Sequence, residues 1–96
     1  MSLMQKFRLD GQVAVITGAG KGIGAGIARA FAEAGADVAI GARTQADLDA
    51  VAADVEALGR RAVTVPTDVM DDAQLNNLAE RAMAEFGRID ILVNNA

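Results

Sequence analysis

The chain has 96 residues, enough for at most one small domain, and its 52% hydrophobic content is high enough to form a core. Its formal net charge of −4, without a long basic run, argues against binding to a nucleic-acid backbone. Because the sequence contains no Cys and no His, it excludes disulfides, thiol nucleophiles, His-based triads and the usual zinc sites within these residues.

The first predicted unit is a strand, a glycine-rich turn and a helix. Residues 12–17 (QVAVIT) form a short run typical of a strand, and glycines follow at positions 18, 20, 22 and 24. Gly35 then stands where the glycine at a helix C-terminus belongs. The residues between recur at helical spacing and predict an apolar stripe of Ile23, Ile27, Ala30, Phe31 and Ala34.

A second strand and helix follow directly. Residues 37–41 (DVAIG) predict the strand, and Thr44 begins the helix, with Asp47 three residues later as a variant of the capping box. Gly59 ends this helix. Its predicted apolar stripe consists of Leu48, Val51, Ala52, Val55 and Leu58.

The last predicted elements are a third strand, a third helix and a fourth strand. Residues 62–65 (AVTV) form the third strand, which Pro66 ends, and either Asp71 or Asp72 caps the helix that follows. That helix ends at Gly87, and residues 89–93 (IDILV) predict the fourth strand. The predicted inner face of the helix is made by Leu75, Leu78, Ala79, Ala82, Met83 and Phe86.

This β-α-β-α-β-α-β alternation predicts an α/β fold, a Rossmann-type doubly wound parallel sheet with strand order 3-2-1-4. Right-handed crossovers place the first two helices on one face of the sheet and the third on the other. We expect residues 1–96 to be the N-terminal portion of one such domain. The fourth strand would leave an exposed apolar edge, so we also expect the domain to be truncated.

The glycine-rich turn, residues 17–24 (TGAGKGIG), is the first candidate for a binding site. A phosphate is bound by bare backbone N–H groups and by the positive end of a helix dipole. Gly18 would make the turn, Gly22 would allow a phosphate to approach, and Gly24 would let the helix pack on the strand. The alternative is a flexible surface turn. The fingerprint G-x-G-x-x-G is not matched, because Ile23 stands at its third glycine, and a P-loop is not matched either.

The pattern that is matched, T-G-x-x-x-G-x-G, resembles the short-chain dehydrogenase/reductase family. The glycine spacing resembles the main branch of that family rather than its extended, epimerase-like branch. The resemblance extends along the whole chain. It also rests on Phe7, Leu9, Gly11 and Val13 before the first strand, on Asp68-Val69 after the third, and on Leu92-Val93-Asn94-Asn95-Ala96, which is similar to the start of the N-N-A-G signature.

The resemblance implies roles for individual positions in a dinucleotide site. Asp68 would accept a hydrogen bond from the adenine amino group, with Val69 beside it, and Asn94 and Ala96 would lie along the adenosine ribose. The simpler alternatives are a turn or cap aspartate and an ordinary turn after a strand. The pyrophosphate would be lined by Gly18, Ala19, Gly20, Lys21, Gly22, Ile23 and Gly24.

The residues after the second strand indicate which nicotinamide cofactor is bound. NAD binders usually carry a carboxylate there for the ribose 2′-hydroxyl, whereas NADP binders carry Arg. Ala42 occupies the expected acidic position and Arg43 follows it, while Lys21 in the glycine turn is a second cation. In NADP-dependent members of the family, basic residues at these two positions contact the 2′-phosphate. We therefore predict NADP(H) over NAD(H), with Thr44 included in the predicted site.

The resemblance implies hydride transfer between the nicotinamide and a carbonyl or alcohol, with a Tyr as acid and Lys, Ser and Asn assisting. The Tyr-x-x-x-Lys segment of the family lies beyond residue 96, and this chain has no Tyr. We therefore predict an NADP(H)-dependent oxidoreductase whose cofactor-binding half is this chain, name no catalytic residue, and expect the fragment alone to be inactive. The alternatives are a non-catalytic dinucleotide-binding or redox-sensing protein, and a stand-alone binding module.

The sequence also carries expectations about location and partners. No apolar run approaches the roughly 18–20 residues of a membrane span, and residues 1–8 lack the apolar stretch of a signal peptide. We expect a cytoplasmic protein with a small carbonyl or alcohol substrate, and with no nucleic-acid, membrane or metal partner. The family resemblance implies a homo-oligomer, a dimer or a tetramer.

Overall fold

The computed structural model describes residues 8–95. In that part of the chain four strands alternate with three helices. The strands are β1 (Val13–Thr17), β2 (Asp37–Ala42), β3 (Ala62–Pro66) and β4 (Ile91–Asn94). The helices are α1 (Gly22–Glu33), α2 (Gln45–Ala57) and α3 (Asp72–Phe86).

The strands form one parallel sheet in the order β3-β2-β1-β4, which confirms the predicted order 3-2-1-4. In the register of the sheet, Val13 pairs with Asp37 of β2 and Ala14 pairs with Ile91 of β4. Each parallel connection passes through a helix, so all four strands end at the same edge of the sheet. The segments after β1, β2, β3 and β4 therefore meet there.

Alternate residues of the strands supply two separate cores. One core lies under α1 and α2 and the other lies under α3, as predicted, because successive strand residues point to opposite faces. The first core contains Ala14, Ile16, Val38 and Ile40 from the strands with Ala25, Ala28, Ala32, Leu48, Val51 and Val55 from the helices. The second contains Val15, Ala39, Val65, Leu78 and Ala82.

The predicted inner faces of the helices needed correction at several positions. Ile23 is 76% exposed and Ala30 is also exposed, whereas the buried residues of α1 are Gly24, Ala25, Ala28 and Ala32. Small side chains face the sheet because α1 lies close to it, which leaves the larger Ile23 outside. Leu58 and Met83 are 48% and 47% exposed, since Leu58 lies after the last residue of α2 and Met83 lies at the edge of the α3 face.

The helix ends confirm one expectation and correct another. Asp71, not Asp72, caps α3, and its carboxylate accepts hydrogen bonds from the backbone N–H groups of Ala73 and Gln74 at 3.0 and 3.3 Å. Thr44 is the N-cap of α2, but its side chain makes no capping bond within residues 8–95. The predicted capping box is therefore absent there, and Asp47 makes a different contact, described below.

The fourth strand begins at Ile91, two residues later than predicted. Asp90 instead joins β4 to β1 through its side chain, because its carboxylate accepts a hydrogen bond from the Val13 N–H at 2.8 Å. Hydrogen bonds from Arg88 and from that N–H hold the pKa of Asp90 below its ordinary value. Leu92 on this edge strand is 70% exposed.

None of the helices within residues 8–95 has the length and apolar character needed to cross a membrane.

Candidate cofactor-binding site

A cavity of about 380 Å³ lies at the edge where the strands end. Its volume falls within the range of about 300–1,000 Å³ common for small-molecule sites. Ligands of open α/β sheets bind outside the carboxyl ends of the strands, which is where this cavity lies. It is lined by Gly18, Gly20, Lys21, Ala42, Arg43, Thr44, Asp47, Val69 and Asn95.

The glycine turn forms one wall of the cavity. Gly18 has a φ of +63°, and a Cβ at this position would collide with the backbone carbonyl oxygen of Asn95. The turn thus passes against the end of β4 with no room for a side chain. Ala19 is fully buried and its N–H donates to the Gly41 carbonyl at 3.1 Å, so this N–H is already bonded within the fold.

Helix α1 begins directly after the turn, and its N-cap residue, Lys21, lines the cavity. Lys21 is the N-cap residue, and in the described part of the chain its side chain makes no capping bond. The first N–H groups of a helix have no partner within the helix, so those of Gly22, Ile23 and Gly24 are suited to an anion. Gly22, with a φ of +57°, has nothing within 4 Å of its Cβ position, so a ligand can approach the backbone there.

Two cations lie on the cavity wall, and each faces a carboxylate. Lys21 Nζ is 3.7 Å from Asp47 Oδ2, and Arg43 Nη2 is 3.4 Å from Asp68 Oδ1. The Lys21 and Arg43 side chains are 82% and 73% exposed. Exposed ion pairs contribute little to stability, so both cations can turn toward a bound anion at a small cost.

Asp68 and Val69 follow β3 and differ in their placement. Val69 lines the cavity, whereas Asp68 is not among the lining residues. The Asp68 carboxylate accepts from the Met70 N–H at 2.9 Å and from Arg43, as a turn aspartate does. Its predicted contact with adenine stays a prediction.

The two asparagines after β4 point in different directions. Asn95 lines the cavity, and its side-chain N–H donates to the Gly18 carbonyl at 3.2 Å. The Asn94 side chain accepts a hydrogen bond from Thr17 Oγ1 at 3.1 Å and lines a second, smaller cavity instead, together with Leu92. The predicted contact of Asn94 with the ribose stays a prediction. Ala96, which was also predicted to contact the ribose, lies outside the described residues.

Thr17 connects the glycine turn to the end of β4. Its hydroxyl is buried, accepts from the Asn95 N–H at 3.2 Å and donates to Asn94. Replacing Thr17 with Val leaves both asparagine groups without this partner, so we expect a loss of about 1–3 kcal/mol in the free energy of unfolding. Urea unfolding of the protein that carries this chain measures the loss. Thr17→Ser keeps the hydroxyl and should retain most of the stability; a Val variant as stable as the wild type would contradict this assignment.

The structure thus brings together six of the predicted residues and adds three. Gly18, Gly20, Lys21, Arg43, Thr44 and Val69 line the cavity, and Ala19, Gly22, Ile23, Gly24, Asp68 and Asn94 do not. Ala42, Asp47 and Asn95 line it but were not in the predicted set. The sequence signal for Asn95 was its position after a strand that neighbours β1.

Within residues 8–95, no cluster of acidic side chains has the geometry of a metal site.

Comparison with known proteins agrees with this geometry. The family model described as short chain dehydrogenase matches residues 12–96. An uncharacterized oxidoreductase of Mycobacterium tuberculosis is 54% identical over 93 residues, which cover 97% of this chain and 35% of that protein. The chain therefore spans about a third of the length of that relative.

Two solved structures resemble the chain and carry different nicotinamide cofactors. A short chain dehydrogenase from Burkholderia cenocepacia in complex with NADP has a TM-score of 0.88 and 47% identity, covering 93% of this chain and 37% of that one. Carveol dehydrogenase from Mycobacterium avium in complex with NAD has a TM-score of 0.89 and 35% identity, covering 93% and 36%. On the family match and these likenesses, the chain belongs to the short chain dehydrogenase family.

Proposed function

We propose that the protein carrying this chain is an NADP(H)-dependent oxidoreductase that interconverts a carbonyl and an alcohol. Residues 1–96 would be the N-terminal portion of its single Rossmann-fold domain and would hold the adenosine end of the cofactor. The observation that carries the proposal is the pair of cations, Lys21 and Arg43, on the wall of one cavity beside the glycine turn. They come from different segments, yet both are free enough to reach a bound anion.

The cavity fits an NADP-type nucleotide on two grounds. Gly22 has nothing within 4 Å of its Cβ position, so the backbone at the start of α1 is open to a pyrophosphate, and Gly18 lets the turn pass close against Asn95. Ala42 offers no carboxylate for a ribose 2′-hydroxyl, whereas the adjacent Arg43 can donate two hydrogen bonds to a 2′-phosphate. Relatives with bound NADP and with bound NAD both exist, so the preference is argued from these side chains alone.

The proposed roles follow the positions named from the sequence. The pyrophosphate would lie against residues 18–24 and contact the first N–H groups of α1. Ala19 would contact it without donating a backbone hydrogen bond, because its N–H already donates to the Gly41 carbonyl. Arg43, Thr44 and Lys21 would surround the 2′-phosphate. Asp68 and Val69 would contact the adenine, and Asn94 and Ala96 the ribose.

When bound, the cofactor supplies or accepts the hydride, while these residues bind and orient its adenosine half. The Tyr that the family resemblance implies as proton donor for the carbonyl oxygen is not among these residues. The fragment by itself is accordingly expected to bind without turnover. A cytoplasmic location and a dimeric or tetrameric assembly are part of the proposal, and light scattering after size-exclusion chromatography measures the assembly.

Titration calorimetry with NADPH and NADH, followed by a spectrophotometric assay of NADPH consumption with a panel of aldehydes, ketones and oxosteroids, tests the function. We expect tighter binding of NADPH and carbonyl-dependent consumption by the protein that carries this chain. Binding without turnover on any carbonyl or alcohol would favour the redox-sensing alternative. Failure to bind either dinucleotide would refute the proposal.

A further inference from the structure

Asp47 lies on the wall of the cavity, against the glycine turn. A Cβ at Gly20 would lie 3.1 Å from Asp47 Cβ and 3.7 Å from Asp47 Oδ2, so the side chain packs directly on the turn. Its side chain is 29% exposed, and its carboxylate faces Lys21. Asp47 therefore sits in the first turn of α2, as the sequence pattern indicates, and also forms part of the binding site.

We infer that Asp47 is a specificity-determining residue that limits the preference of this site for a 2′-phosphate over a 2′-hydroxyl. The inference rests on the proposed function, because it concerns which adenine nucleotide the same cavity prefers. It makes Asp47 the acidic group that the sequence lacks at position 42, supplied from the next helix rather than from the end of β2.

The charges around the cavity explain this role. Lys21 and Arg43 are balanced by Asp47 and Asp68, so the four side chains sum to no net charge. Asp68 pairs with Arg43, which leaves Asp47 as the carboxylate next to Lys21. A phosphate that reaches Lys21 also meets this carboxylate and is repelled, whereas a neutral hydroxyl can donate a hydrogen bond to it. Asp47 thus weakens the binding of a 2′-phosphate but not of a 2′-hydroxyl, and a repulsive group of this kind makes a site specific.

A purely positioning role for Asp47 predicts the opposite result. If its main effect were to hold Lys21 toward the phosphate, removing the carboxylate would weaken binding of the phosphate. The lysine side chain is 82% exposed and the two atoms are 3.7 Å apart, so this pair holds the lysine only weakly. Repulsion of the phosphate is therefore expected to dominate.

The test compares Asp47→Asn with the wild type in the protein that carries this chain. Calorimetry with adenosine 2′,5′-bisphosphate and with 5′-AMP reports on the cavity alone, since neither probe has a nicotinamide. We expect the variant to bind the bisphosphate about five- to tenfold more tightly, from the loss of one like charge on the cavity wall. Binding of 5′-AMP should change by less than about twofold, and the gain should shrink as ionic strength rises.

Asp49→Asn is the matched control. It makes the same charge change on the same helix, but the Asp49 carboxylate accepts from the Gln45 side chain at 2.7 Å and is not among the cavity-lining residues. Its ratio of affinities should stay within about twofold of the wild type. An unchanged or lowered preference for the bisphosphate in Asp47→Asn, with both probes binding the wild type, overturns this inference alone. A wild type that binds neither probe nor dinucleotide overturns the proposed function as well.

Discussion

Gly24→Ala is expected to destabilise the protein by about 1–3 kcal/mol and to remove tight nucleotide binding. Gly24 lies in the first turn of α1 and is buried. A Cβ there would collide with the Gly18 carbonyl oxygen and would come 2.7 Å from the Asn95 side-chain nitrogen. The obstacle is mainly backbone, which cannot move aside as a flexible side chain can.

The same collision connects stability to function. The Gly18 carbonyl also accepts a hydrogen bond from the Asn95 side chain, so displacing it separates the glycine turn from the segment after β4. Both segments line the cavity. We therefore expect Gly24→Ala to lose affinity for NADPH at temperatures where the variant is still folded.

Gly26→Ala supplies the control, because it adds the same methyl group two residues later in α1. Its Cβ position has nothing within 4 Å, and the residue is exposed. Alanine is preferred to glycine inside a helix, so this variant should gain about 0.5–1 kcal/mol. Urea unfolding and NADPH titration of both variants measure the contrast. Equal stabilities for the two would show that the close approach of α1 to the turn is unimportant.

The sequence predicted the order of elements because each strand and helix has its own local signals. Gly35, Gly59 and Gly87 follow the helices with positive φ, and the short apolar runs between them form the strands. Local periodicity did not predict how closely α1 approaches the sheet. That distance depends on contacts such as Gly24 with Gly18, and it decided that Ala28 is buried while Ile23 is exposed.

The site was predictable where a backbone motif carries it and less so where side chains from distant segments meet. The glycine turn and Arg43 follow from their positions next to strands. Asp47 was missed because its place in the first turn of α2 already had a local explanation, a capping box. That box did not form, and the carboxylate contacts Lys21 across 26 residues of sequence instead. Asn95 was missed because only the register of β4 on β1 decides which asparagine reaches the turn.

Arg43→Asp is expected to reverse the cofactor preference. The arginine is 73% exposed and its pair with Asp68 contributes little to the fold, so the variant should remain folded. Loss of a charged hydrogen bond to a 2′-phosphate costs about 1–3 kcal/mol, or about 5- to 150-fold in affinity for NADPH. The new carboxylate also repels the phosphate and can accept a hydrogen bond from the 2′-hydroxyl of NADH.

The measurement is the ratio of the dissociation constants of NADPH and NADH, and Arg29→Asp is its matched control. Arg29 is an exposed arginine that pairs with Asp54 and does not line the cavity. Replacing it with Asp changes the net charge of the protein by the same amount as Arg43→Asp does. We expect the ratio to move toward NADH in Arg43→Asp and to stay nearly constant in Arg29→Asp, since Arg29 does not line the cavity and salt screens the charge of an exposed side chain. If both variants shift the ratio alike, long-range charge rather than a contact sets the preference. If neither does, Arg43 does not contact the 2′-phosphate, and Lys21 becomes the cation to replace next.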